Sequence, residues 1–393
     1  MKQYRLVKIG DICKLKSGKS LPKDLESENG EIPYVKVSDM NLKENNKYIV
    51  TSSSFVKLND SKNYVFPIGS VIFPKRGGAI GTNKKRLTKC EICADLNIMA
   101  VIPGKEILPE YLYAYFNGVD LGQLSNGSSV PQINNGDIAP LLIPLPDIKI
   151  QKKIASLLFK AQELIDKRKE QIEALDELVK SKFIEMFGIP LANTKGWNEQ
   201  LAGEVCLKIT DGSHFSPKDC SDSNIPMLSV KDMMADRFSY DSCKHVSEED
   251  YIELKKNGCK PLLHDVLIAK DGSYFYYGFV LEEEIEQALL SSISILRPNK
   301  DLVNPYYLRY YMMSQEVVDL VGKKYVSGAA LKRVILKGIR QIPVMIPPIE
   351  LQNQFADFVN QVDKLKSEME KSLKELEDNF NSLMQRAFKG ELF

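Results

Sequence analysis

Apolar residues recur along this chain in two rhythms. The first is a set of short β-branched runs, Ile32–Val37, Val71–Pro74 and Ile98–Ile102, bounded by Pro, Gly, Asn and Asp, which is the punctuation of strands. Matching runs return at Ile225–Val230, Val266–Ala269 and Ile293–Leu296. Behind each set lies a Pro-started stretch, Pro109–Asn117 and Pro305–Ser314. Both predict helices, because Pro at the first turn lacks an N–H that would have no partner there. A small-residue loop follows, Gly127-Ser128-Ser129 or Ser327-Gly328-Ala329-Ala330, and then an apolar, Pro-terminated strand, Leu141–Pro146 or Ile342–Pro348.

The second rhythm has a period of seven. Leu158, Ile165, Ile172, Val179 and Met186 form one row, beside Ile154, Ala161, Arg168, Leu175 and Lys182. Phe355, Val362, Met369, Leu376 and Leu383 form another, beside Val359, Lys366, Leu373, Phe380 and Ala387. Sustained heptads predict coiled coil rather than a surface helix. Each helix is expected to span about 38 residues, on the order of 57 Å at 1.5 Å per residue. Pro146 and Pro348 precede the helices as starts, and Gly188 and Gly390 follow as stops. Arg168 and Lys366 interrupt the apolar rows; such charges either fix register or snorkel to solvent.

The two rhythms belong to one duplication. Ile32–Met40 reads IPYVKVSDM, and 193 residues later Ile225–Met233 reads IPMLSVKDM. A shift of 201 lays Ile150-Gln151 over Leu351-Gln352 and each heptad row over its counterpart. A period this long exceeds the roughly 20–50 residues of solenoid repeats and indicates two copies of one domain-plus-helix module. The expected fold class is α+β. Two similar globular mixed α/β domains would be separated by two long antiparallel coiled-coil helices, related by a pseudo-two-fold, circular repeat. Two independent helices, each packed on its own domain, are the alternative. The expected divisions are residues 1–147 (first domain), 148–188 (central helix), 189–347 (second domain) and 348–393 (C-terminal helix). One symmetry for both halves also predicts that Tyr4 lies near the C-terminus, since its duplicate Trp197 follows the first helix through a short linker.

Composition narrows the chemistry. The 393 residues suit two or three domains, and 44% hydrophobic content lets each half bury a core. Net charge is +1, so a general basic coat is excluded while local basic patches are not. Seven scattered cysteines fit reduced thiols better than a disulfide framework. MKQYRLVKIGD lacks the apolar stretch of a signal peptide, and no run approaches a membrane span, so a cytoplasmic location is expected.

Several catalytic signatures are incomplete. Gly18-Lys19-Ser20 resembles the end of a phosphate loop, but Cys13 stands where its leading Gly belongs. Cys90 and Cys93 have zinc-knuckle spacing without a second ligand pair. Asn304-Pro305-Tyr306-Tyr307 reads as a helix start, and Glu253-Leu254-Lys255 has no counterpart in the first half. His214, His245 and His264 all lie in the second half, so the modules share no catalytic histidine. No catalytic residue, metal ligand or cofactor is therefore assigned.

What remains are polar and basic loops at equivalent places. The first half offers Lys75, Arg76, Asn83, Lys84, Lys85, Arg86, Ser128, Gln132, Asn134 and Asn135. The second offers Lys270, Ser273, Tyr274, Lys323, Lys324, Lys332 and Arg333. Arg and Lys can take guanine edges or phosphates, and Asn and Gln can take adenine edges. Lys75 and Lys270 share one place in the repeat, while the loops around them differ and the strands agree. A two-domain enzyme with an unfamiliar site and a scaffold that binds only protein are the competing classes.

The whole chain resembles the specificity subunit (S, HsdS) of type I restriction–modification systems. The resemblance rests on IPYVKVSDM and IPMLSVKDM, on the helix-opening segments Leu145–Ala155 and Pro347–Ala356, and on the ends Phe183–Gly188 and Leu383–Gly390. It implies two target recognition domains, each reading half of a split double-stranded DNA site. It also implies that two modification (methyltransferase) subunits dock on the helices and that restriction subunits can join. The chemistry then belongs to those partners.

Overall fold

A computed structural model describes residues 4–57, 65–125, 127, 130–272, 274–327 and 332–393. The chain divides into two compact units, Met1–Lys169 with Lys371–Phe393, and Glu170–Glu370.

In the first unit, Ile98–Pro103 is the centre of the main sheet. It pairs antiparallel with Cys13–Ser17 on one side and Val71–Pro74 on the other, and Arg86–Thr88 and Tyr48–Ile49 extend the sheet. The continuous apolar runs are explained by burial on both faces. Val71, Phe73, Met99 and Val101 face the helix Pro109–Asn117, with the Phe73 and Phe116 rings stacked at 5.7 Å. The alternating residues Ile72, Ile98 and Ala100, with Ile49 of the same sheet, face a second layer with Val35, Phe66 and Ile92. That layer contains Ile32–Val35 paired in parallel with Ile92–Ala94.

The second unit repeats this plan. Ile293–Pro298 lies between Cys206–Asp211 and Val266–Ala269, with Gly278–Val280 beyond, and Ile225–Leu228 pairs in parallel with Ala288–Leu289. Its two faces split the same way: Val266, Ile268 and Leu296 to one cluster, Leu267, Ala269, Ile293 and Ile295 to the other. In each unit an edge pair closes the module before the long helix begins. Leu6–Lys8 pairs with Leu142–Pro144, and Asn198–Leu201 with Pro343–Ile346.

Buried polar groups are duplicated as faithfully as the strands. The amide of Gln151 accepts from Leu108 N at 2.8 Å and donates to the Glu106 and Pro146 carbonyls, both at 2.9 Å. Gln352 accepts from Asn304 N at 2.8 Å and donates to the Leu302 and Pro347 carbonyls at 3.1 and 2.8 Å. Both are fully buried, so each locks a helix start to the loop that precedes the Pro-started helix. The Asp of the repeated SDM/KDM motif ends its strand early. Asp39 accepts from Lys36 N at 2.7 Å and Asp232 from Ser229 N at 2.8 Å, turning both chains into 3-10 helix. The predicted strands to Val37 and Val230 therefore stop at Val35 and Leu228.

The long helices are Ile148–Phe187 and Ile349–Lys389. In the second unit Phe355 packs on Phe183 at 5.4 Å while Lys366 pairs with Asp176 at 2.7 Å. In the first unit Lys169 pairs with Glu377 at 2.8 Å while Lys153 lies 5.6 Å from the Phe393 ring. Numbers rise along one helix as they fall along the other, so the pairing within each unit is antiparallel. Lys366 thus marks register through an ion pair rather than only snorkelling. Tyr4 Oη donates to the Phe393 carbonyl at 2.7 Å, placing these two ends of the chain side by side.

Candidate nucleic-acid interface

The two loops singled out in each half meet in a backbone bridge. In the first unit Ile133 N donates to Lys75 O at 2.9 Å and Gly77 N to Pro131 O at 2.8 Å. In the second, Val334 N donates to Lys270 O at 2.9 Å and Gly272 N to Lys332 O at 2.8 Å. Arg76 thereby lies opposite Gln132, and Asp271 opposite Arg333. The same strand end thus carries a cation in one copy and an acid in the other, and the facing arm compensates.

Side chains on the bridges differ in charge state and burial. Lys75 Nζ, partly buried, donates to Ser17 Oγ at 2.9 Å; burial, then the neighbouring Arg76 charge, lowers its pKa. Arg76 is exposed and donates to Gln132 Oε1 at 3.2 Å, and Gln132 donates on to Asn134 Oδ1 at 2.7 Å. Asn134 caps the short helix Asn135–Ile138 and, like Asn135, is exposed. Lys270 is 3% exposed, with Nζ 3.2 Å from Asp211 and 3.5 Å from Asp271. Arg333 Nε lies 3.1 Å from Asp271 Oδ1, and its side chain keeps 48% exposure. Lys332 is exposed; Lys323 and Lys324 are exposed in the last turn of Gln315–Lys324, where cations suit the helix dipole. Tyr274 is half-buried beside Gly322. Ser128 and Ser273 lie outside the described residues.

Three expected ligand-facing cations are corrected to structural roles. Lys85 is 4% exposed and donates to Asn83 Oδ1 at 2.7 Å and Val119 O at 2.6 Å; burial depresses its pKa to about 8. Arg86 is held by the carbonyls of Asn45, Lys85 and Met40 at 2.5, 2.8 and 3.0 Å. Lys270 is the buried counter-ion just described. Dense basic sequence looked like surface because charge alone does not reveal which carbonyls a fold leaves for side chains to satisfy. Asn83, in left-handed conformation, accepts from Leu121 N at 2.9 Å, so its amide also serves the fold. Lys84, half-buried, donates to Asn41 Oδ1.

Sequence reasoning missed the adjoining loop. A shift of 194 places Ser17 on Asp211, Gly18 on Gly212 and Leu21 on Phe215. Gly18 is required by close approach, since a Cβ there would lie 1.9 Å from Asp95 O; at Gly212 it would lie 2.0 Å from Leu289 O. This replaces the phosphate-loop resemblance with a packing reason. Beyond the glycines the copies diverge: Leu21 is 7% exposed, whereas Phe215 is 69% exposed on a turn in which Ser213 Oγ donates to Phe215 O at 2.6 Å. Divergence at an aligned position was the available signal.

Burial pushes the thiols of Cys13 and Cys93 up to about 11 and that of Cys206 to about 12, which keeps them protonated and unreactive. Among the described residues no group of three His, Cys, Asp or Glu side chains is placed to hold a metal ion, and no helix is long and apolar enough to cross a membrane. A duplicated scaffold with divergent polar bridges suits a recognition protein. The family "Type I restriction modification DNA specificity domain" matches residues 1–175 and 194–378, and the chain belongs to that family, as a non-catalytic DNA-recognition subunit. It is 23% identical to the type I restriction enzyme MjaIX specificity subunit of Methanocaldococcus jannaschii, over 100% of this chain and 94% of that one. It is 20% identical to the EcoDI specificity subunit of Escherichia coli, over 99% and 88%. The fold is similar to the type I restriction–modification S subunit from M. genitalium, with TM-score 0.54, 16% identity and 98% and 96% coverage. It is also similar to a chain from a structure of complex assembly and conformational transition in the type I R-M system, with TM-score 0.59, 20% identity and 100% and 99% coverage.

Proposed function

We propose that this chain reads a bipartite, asymmetric site on double-stranded DNA, one half-site for each recognition domain. The observation that carries the reading is the pair of bridges: one backbone arrangement with different exposed side chains, as expected when two related domains read different sequences. Residues 1–147 and 189–347 are assigned as the recognition domains, with 148–188 and 348–393 as spacer helices. At 40 and 41 residues the observed helices are on the order of 60 Å long, more than the roughly 34–36 Å of one duplex turn.

On this reading two modification subunits dock on the helices, restriction subunits join the complex, and the assembly works in the cytoplasm. Leu164 and Leu365, duplicates at the shift of 201, keep 55% and 41% exposure on the helices and supply apolar contact for such docking. Exposed Arg76, Asn134, Asn135, Lys323, Lys324, Lys332 and Arg333, with Lys75, Lys84, Gln132 and Tyr274 beside them, form the candidate contact set. The test is methylome sequencing after co-expression with the modification subunits. Exchanging Leu191–Pro347 for the same segment of a relative is expected to change one half-site only. A continuous or palindromic motif, or a change in both half-sites, overturns the bipartite reading.

A further inference from the structure

The bridges carry an assignment finer than a contact surface. Each presents one exposed guanidinium, and each guanidinium is steadied by the residue directly across the bridge. Arg76 gives one N–H to Gln132, whose own amide is anchored on Asn134. A guanidinium has five N–H donors, so most of its fork remains for a ligand. Arg333 Nε lies 3.1 Å from Asp271 Oδ1 in an ion pair, and the side chain keeps 48% exposure, so the rest of its fork is open to a ligand. Asp271 is 6% exposed and stands over the buried Lys270 ammonium, so its position is set from below. The cation sits on the Lys75–Gly77 arm in one unit and on the Lys332–Val334 arm in the other. An arginine whose aim is fixed before binding loses less freedom on binding than a free one, and a planar fork matches the paired N7 and O6 acceptors of guanine. Lysines on the same rim, such as Lys332, lack that geometry and suit phosphates as point charges.

We propose that Arg76 and Arg333 are the guanine-reading side chains of the two recognition domains. Each takes the N7/O6 edge of one guanine in its own half-site, with Gln132 and Asp271 as positioning residues. The assignment rests on the bipartite DNA-reading function. It requires a G·C pair in each half of the methylated motif. With the full chain and its modification subunits, Arg76→Ala is expected to relax the motif at one guanine of one half-site, and Arg333→Ala at one guanine of the other. Arg76→Lys and Arg333→Lys, which keep the charge and lose the fork, are expected to relax the same positions while retaining most of the non-specific affinity. Replacing the assigned guanine by 7-deazaguanine in a duplex probe should weaken wild-type binding about tenfold and leave the matching alanine variant unchanged. A half-site of A·T pairs alone overturns the assignment for that domain. So does a variant that weakens all sequences equally with a shallower salt slope, which marks a phosphate contact. If the wild-type complex itself shows no motif, the DNA-reading function fails; if the motif stands and both alanine variants leave it unchanged, only the arginine assignment fails.

Discussion

The bridge Lys75–Gly77 with Pro131–Ile133 and the bridge Lys270–Gly272 with Lys332–Val334 share every backbone hydrogen bond named above and almost none of their side-chain chemistry. In the first, Lys75 answers to a neutral serine and Arg76 to a neutral amide. In the second, the carboxylates of Asp211, partly buried, and Asp271, buried, flank Lys270, and Asp271 also pairs with Arg333. One scaffold thus supports both a neutral and an ionic way of aiming an arginine. A loop end free of packing duties can change its charge pattern while the strands that carry it stay put, because the bridge needs only backbone groups.

The ionic bridge should be far more sensitive to losing its lysine. Lys270→Met removes the buried cation between Asp211 and Asp271 and is expected to destabilise the second unit by about 3 kcal/mol. Lys75→Met, which removes one partly buried hydrogen bond to a neutral hydroxyl, should cost about 1 kcal/mol. Thermal unfolding of both variants decides it, and equal losses would dissolve the distinction between the bridges.

The scaffold beneath should respond alike in both copies. Gly18→Ala and Gly212→Ala each drive a methyl group into a backbone carbonyl, and each is expected to cost about 3 kcal/mol. Hydrogen exchange of the neighbouring strands reads the two units separately, and a large inequality would mean that the close approach is structural in only one copy.

The smallest effect concerns Lys85, which has no buried counterpart assigned in the second unit. Its depressed pKa, about 8, means that the folded chain holds fewer protons than the unfolded chain between about pH 8 and the ordinary lysine value. Stability should therefore rise with pH through that window, by about 1 kcal/mol between pH 7 and pH 9 relative to Lys85→Met. A flat difference between the two proteins over this range would show that the ammonium is well solvated.

Much of this architecture was legible in the chain. Periodicity located both long helices and Pro and Gly marked their ends, although the C-terminal helix stops at Lys389 rather than running on to residue 393, and the 193- and 201-residue shifts predicted the duplicated sheet plan. The positions of Gln151 and Gln352 were visible as matched letters, but their role as buried latches was not, because two of the three hydrogen-bond partners of each come from a loop more than forty residues earlier in the chain. The candidate site was legible as a place and illegible as a set of roles. Lys85 and Arg86 look like neighbours of Lys84, yet the fold turns Lys85 inward and wraps Arg86 around three carbonyls.

By itself the sequence determined the module, its duplication, the helical heptads and the polar loops of each half, since all of these are carried by apolar spacing and by punctuating residues; that the loops meet was shown by the structure. Only the tertiary structure decided which cations face outward. Burial depends on what another segment places opposite a side chain, and Asp271 across from Arg333, or Val119 above Lys85, are neighbours separated by tens of residues. A local pattern can say that a charge is present; the partner that neutralises it or leaves it free is chosen by the fold.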